Sequence, residues 1–174
     1  KLALIQEKIK ILITWYPMVL LMSLALAASF IYTIEFKPTK DVGFTFVKLE
    51  IIFSIGISLM FAIKMLSQRI GRTVLWHILG VFFLIGFYFT LPLKEKDFTE
   101  VYAFLLVPTY LLSHLLVAFI AYLSKKNTEH SFWQFNKNLF INLFLTVVFT
   151  GVLTAGIEIA VLAVENLFNF DFEI

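Results

Sequence analysis

The sequence contains no cysteine and only seven glycines and four prolines among 174 residues. The missing cysteine excludes disulfides, thiolate metal sites and cysteine nucleophiles. The scarcity of glycine and proline, beside 21 phenylalanines, excludes collagen-like repeats, flexible linkers and a disordered chain. Charged residues are also scarce, at 15% against about 25% in soluble domains, whereas 60% of the residues are apolar. A chain with so little polar surface is predicted to lie in a lipid bilayer.

Five apolar runs are long enough to cross the ~30 Å hydrocarbon layer as helices. They cover residues 11–34, 47–66, 74–91, 101–123 and 139–164. The runs are continuous and do not alternate with polar residues, which favours helices over the strands of a barrel. The sequence therefore predicts an all-α fold: a polytopic transmembrane helical bundle with five spans, forming one domain over residues 1–174 of a longer chain.

The residues before the first run form an amphipathic segment, since Leu2, Ile5 and Ile9 recur on one helical stripe. We expect this segment to lie along the membrane surface or to continue a helix from upstream. Pro17 is expected within the first turns of the first span, behind an interfacial aromatic pair.

Lysines and arginines are unequally distributed between the two sides that five spans create. Nine of the 14 flank the spans on the side of the N-terminus, and five lie on the other side. The positive-inside rule therefore predicts a cytoplasmic N-terminus. A net charge of +2 is too small for nucleic-acid binding, so the expected partners are the lipid bilayer and other membrane-protein subunits.

A candidate intramembrane polar site consists of Glu158, Lys48 and His114, which fall within or at the edge of the predicted spans. An ionised group at the bilayer centre costs ~2.5–3.5 kcal/mol, so such a group is expected to face protein or water. Glu158 shares a helical face with Gly151 and Ala155, where another helix can approach closely. Glu158 is predicted to form a structural tie with Lys48, to line a transport path, or to face a water pocket or a partner subunit. His114 is expected to be a hydrogen-bonded packing residue.

The segment SKKNTEHSFWQFNKN at 124–138 is predicted to form a cytoplasmic loop. It is unusually aromatic for a solvated turn, and its aromatic and polar side chains form a candidate cytoplasmic interface. The residues of this interface are Phe132, Trp133, Phe135, Asn136 and Lys137. The segment is interpreted either as an anchor in the headgroup layer or as a docking surface for a partner or a lipid headgroup.

Motifs of known enzymes are missing from the sequence: it has no HExxH pair, nucleophile elbow, Walker loop or carboxylate cluster at metal spacing. We therefore assign no catalytic, cofactor-binding or metal-binding residue, expect no cofactor, and predict that the chain is not an enzyme. The predicted function is a non-enzymatic scaffold or accessory component of a membrane complex. One alternative is a transporter or proton-coupled permease in which Pro108 permits movement. Another is a lipid-modifying intramembrane enzyme.

Several stretches resemble a family of uncharacterised bacterial multi-pass membrane proteins, the 4153 class of bacterial domains of unknown function. These are WYPMVL at 15–20, HLLVAF at 114–119, FWQFNKNLF at 132–140, GVLTAG at 151–156 and ENLFNFDFEI at 165–174. The resemblance implies a bacterial inner-membrane location and further spans after Ile174. It directs attention to Trp133, Asn136 and Glu165, and it implies no particular activity.

Overall fold

The computed structural model describes residues 2–120, 122 and 129–168, and it places nearly all of them in helices. The chain divides into two compact units, residues 1–125 and 126–174. In the described part, the first unit holds five α-helices and one short 3-10 helix, and the second holds a single α-helix. The α-helices are α1 (Leu2–Trp15), α2 (Pro17–Phe36), α3 (Lys40–Ile70), α4 (Thr73–Thr90), α5 (Val101–Ile120) and α6 (Glu129–Phe168), and the 3-10 helix is Glu95–Asp97.

Five of these helices, α2 to α6, are long and apolar enough to cross a membrane. This confirms the predicted all-α bundle with five candidate spans. The longest helix of the first unit, α3, has 31 residues and a length of about 46 Å, close to the 40–45 Å thickness of a bilayer with its headgroups. Asp41 lies in its first turn and Arg69 in its last, so the charged residues of α3 near its termini suit the two membrane surfaces.

The expected first span began at Ile11, but the structure divides that run between two helices. Pro17 is the first residue of α2, and Tyr16 before it has a non-helical backbone (φ −129°, ψ 48°). A residue before proline is disfavoured in the helical region, and proline itself is well tolerated as the first helical residue. The apolar residues at 11–15 therefore end the amphipathic helix α1 and do not begin the span.

The central helix of the first unit is α3, on which α2, α4 and α5 all pack. The turn at 37–39 reverses the chain, so α2 runs antiparallel to α3 along most of its length. Near one end of this pair the rings of Tyr32 and Phe46 stack with centroids 4.4 Å apart, and near the other end Tyr16 stacks on Phe61 at 5.4 Å.

The core of the first unit is small and is built around α3, where Ile55 and Met60 are fully buried. Helix α4 approaches closely at Gly80, because a side chain there would meet Met60 and Ile63. Many other apolar side chains point outward, and Phe82 of α4 is 74% exposed. An apolar exterior around a small core suits surrounding hydrocarbon and not water.

Candidate functional site

Lys48 of the predicted polar site lies on α3, and only 4% of its surface is exposed. Its Nζ atom lies 4.2 Å from the ring centroid of Tyr88, in the last turn of α4. An ammonium group over an aromatic face is stabilised by about 0.5–2 kcal/mol, more when water is excluded. Lys48 therefore joins the first part of α3 to the last turn of α4, at the end of the unit where the 91–100 connection lies.

His114 lies on α5, where both of its ring nitrogens have hydrogen-bonding partners. Nδ1 lies 2.8 Å from the carbonyl oxygen of Tyr110, which can only accept, so Nδ1 carries the hydrogen. In the neutral ring Nε2 is then the acceptor, and it lies 3.2 Å from the hydroxyl oxygen of Ser58 on α3. Ser58 therefore donates to His114, whose side chain is otherwise exposed, and a packing role for His114 stays a prediction.

A second hydrogen bond joins the same two helices one turn away, between the hydroxyls of Ser54 on α3 and Tyr110 on α5. Both hydrogen bonds connect residues separated by 56 positions, so α5 runs parallel to α3 with a constant register. A third interhelical hydrogen bond runs from the Thr33 hydroxyl on α2 to Glu50 Oε1 on α3, at 3.4 Å. The polar side chains of α3 therefore bind its three neighbours, α2, α4 and α5.

Tyr88 and Tyr110 were not predicted from the sequence. For Tyr110 a signal was present, because a tyrosine hydroxyl inside a predicted span needs a hydrogen-bonding partner. Tyr88 meets Lys48 through its ring face, and no pattern along the chain indicates that contact. Lys48 and His114, by contrast, are not brought together. His114 binds Ser58, which lies ten residues, or about 15 Å, along α3 from Lys48.

Two cavities of the first unit have mainly apolar linings, and neither is lined by Lys48 or His114. One, of about 270 Å³, lies among α3, α4 and α5 beside Ile55, Phe83 and Ser113. The other, of about 520 Å³, lies between α2 and α4 beside Met18 and Ile78. The polar side chains that join the helices are thus separate from the walls of these two cavities.

The second unit shows that the predicted cytoplasmic loop is wrong for residues 129–138, which form the first turns of α6. This stretch lacks glycine and proline and leads directly into an apolar run, so the helix extends into it without a new nucleation step. The remaining residues of that loop, 124–128, lie outside the described part of the chain.

The five candidate interface residues therefore project from a helix. The Asn136 side-chain amide donates to the Phe132 carbonyl at 3.1 Å, Phe132 and Phe135 are half-buried, and Trp133 is 71% exposed. Lys137 and Trp133 line one concavity of about 390 Å³. Their role as an interface stays a prediction.

Glu158 also lies on α6, and Glu158, Gly151 and Ala155 are all exposed residues. Lys48 and Glu158 belong to different units, and a tie between them stays a prediction.

No group of three or more histidine, cysteine, aspartate or glutamate residues within the described ranges is placed to hold a metal ion. Comparisons of this chain with family models, curated proteins and solved structures found no match. The resemblance to the 4153 class stays a prediction.

Proposed function

We propose that the protein is a non-enzymatic helical component of a membrane complex, acting as a scaffold or accessory subunit. The observation that carries the proposal is α6, a helix of 40 residues that is the whole described part of the second unit. A single helix has no core of its own, and Phe149 and Leu153 within its apolar run are 64% and 67% exposed. Considered by itself, such a helix leaves its apolar run to be covered by lipid or by another helix, which is what a subunit that binds partners within the membrane requires.

The polar side chains of the first unit support the same proposal. Ser58 and His114 bind each other, and Lys48 lies against Tyr88. These groups hold helices together, which is the role of polar residues in a structural bundle.

The proposal includes a location in a bacterial inner membrane with the N-terminus in the cytoplasm. It is supported by the excess of basic residues on the N-terminal side and by the family resemblance.

A transporter or proton-coupled permease is the second candidate. The observation that favours it is the buried cation Lys48 near one end of α3, together with a carboxylate, Glu158, within the apolar run of α6. Ionisable groups within spans are typical of substrate and proton pathways.

The experiment purifies tagged protein from its native membrane and measures the stoichiometry of the membrane proteins that remain bound. Ala155→Leu places a large side chain on the face of α6 that Ala155 shares with Gly151 and Glu158. Ala160→Leu places the same side chain on the opposite face. We expect a fixed stoichiometry that Ala155→Leu abolishes and Ala160→Leu preserves. Proton flux in liposomes holding this protein alone, abolished by Glu158→Gln, would contradict the scaffold and support the transporter.

A further inference from the structure

The cavity between α2 and α4 opens as a groove on the side of the first unit. We call it the α2–α4 groove, and its walls include Met18 at the start of α2 and Thr73, His77, Ile78, Val81 and Ile85 along α4. Its volume of about 520 Å³ lies within the 300–1,000 Å³ that ligand sites in proteins occupy.

The exposed lining of the groove is almost entirely apolar along its whole length, and it includes Val74 in the first turn of α4. Thr73 and His77 lie in the first turns of α4, and the walls beyond them are formed by Ile78, Val81 and Ile85. From Thr73 to Ile85 the helix rises about 18 Å, more than half of the ~30 Å hydrocarbon layer. The groove therefore runs from one membrane surface toward the middle of the bilayer, as an acyl chain does.

Basic residues lie in the chain close to the end of the groove at the start of α4. Arg72 directly precedes Thr73, and Arg69 lies in the last turn of α3. Lys64 lies five residues before Arg69, with its Nζ 5.9 Å from the ring centroid of Trp15. The acidic residues of α2 to α5 and their connections lie toward the opposite end of the unit. They are Glu35, Asp41, Glu50, Glu95, Asp97 and Glu100. Basic residues thus lie near the end of the apolar groove at the start of α4, which we call its mouth, and the acidic residues of these helices lie away from it.

We propose that the α2–α4 groove binds one anionic phospholipid, with an acyl chain along Ile78, Val81 and Ile85 and the phosphate at Arg72 and Arg69. A molecule with an apolar chain and an anionic head complements the apolar lining and the basic residues near the mouth. An apolar helix would complement the lining and leave those basic residues without a counter-charge. The binding site is independent of whether the protein is a scaffold or a transporter.

The first part of the experiment tests the role of charge. The purified protein, in a neutral detergent, is titrated with phosphatidylglycerol or phosphatidylcholine, and the bound lipid is measured by native mass spectrometry. We expect one tightly bound phosphatidylglycerol and weaker binding of phosphatidylcholine. Arg72→Gln and Arg69→Gln should each weaken phosphatidylglycerol binding by about fivefold, the change that corresponds to ~1 kcal/mol per basic residue at an anionic membrane. Lys94→Gln makes the same charge change at the opposite end and should have no effect. Equal binding of the two lipids would overturn the proposal.

The groove arm fills the apolar wall and leaves the charges in place. Ile78→Trp should prevent lipid binding, whereas Leu79→Trp, an exposed neighbour outside the groove lining, should not. Val74→Trp, at a 73% exposed position of the lining, repeats the test should Ile78→Trp fail to fold.

Three further outcomes contradict the proposal. Lipid binding that survives the folded groove variant would place the lipid elsewhere. Inorganic phosphate that competes as well as phosphatidylglycerol at equal concentration would show an anion site without a chain. A dimer of this protein abolished by the same variant, with lipid binding unchanged, would identify the occupant as a helix of a second copy.

Discussion

Gly80 sets how closely α4 packs on α3, and its replacement by alanine tests that packing directly. A Cβ at this position would clash with Cδ1 of Ile63 and would lie 3.2 Å from Cε of Met60. Overpacking a tight core costs about 1–3 kcal/mol. Both opposing atoms are the ends of side chains that can move, so we expect a cost in the lower half of that range.

Alanine also stabilises a helix by ~0.8–1 kcal/mol relative to glycine, so the net effect of Gly80→Ala is smaller than the packing cost. Gly86→Ala on the same helix corrects for this, because a Cβ at Gly86 meets no atom within 4 Å. The difference in the free energy of unfolding between the two variants therefore isolates the packing cost. We expect Gly80→Ala to be less stable than Gly86→Ala by ~1–2 kcal/mol.

The assay is reversible unfolding in mixed micelles with increasing dodecyl sulfate, followed by tryptophan fluorescence. Equal midpoints for Gly80→Ala and Gly86→Ala would refute the close approach of α4 to α3. A Gly86→Ala variant less stable than the parent would refute the assumption that Gly86 faces open space.

Two further predictions concern the α3–α5 contact and the orientation in the membrane. In a double-mutant cycle, Ser58→Ala and His114→Ala should show a coupling free energy of ~0.6 kcal/mol and at most ~1.7 kcal/mol, the range of interhelical hydrogen bonds in membranes. The same unfolding assay measures it, and strictly additive effects would show that the two side chains do not interact. Because the chain has no cysteine, Gln68→Cys and Thr99→Cys each introduce a unique thiol. An impermeant maleimide should label the first only from the cytoplasmic face and the second only from the other, and the reverse pattern would invert the orientation.

The number of candidate spans could be predicted from the sequence because continuous apolar runs bounded by charges have few alternatives in a bilayer. The first and last residues of the helices were harder to predict. Segment 129–138 is polar and aromatic, a composition that suits a loop or a helix in the headgroup layer, and the continuing helix of α6 decided between them. The sequence showed that Pro17 lies near the start of a helix, but it did not show that α1 ends before Pro17 and that Pro17 is the first residue of α2.

For the polar site, too, the sequence predicted some features and not others. Sequence position indicated how far Lys48 and His114 lie from the membrane surfaces, since each residue advances a helix by about 1.5 Å. It did not identify Tyr88 or Ser58 as their partners, because each residue also turns the helix by about 100° and the facing side chain depends on how neighbouring helices are rotated.

Composition and the lengths of the apolar runs by themselves indicated a membrane protein and determined the helical class and the number of candidate spans, because a bilayer leaves a backbone few ways to satisfy its hydrogen bonds. Tertiary structure alone decided that α3 is the central helix, that its polar side chains are bound to α2, α4 and α5, and that an apolar groove lies along α4 beside Met18 of α2. These features depend on how packed helices are rotated and spaced. The fit of side chains between helices determines that rotation and spacing, and the sequence pattern of a single helix does not indicate it.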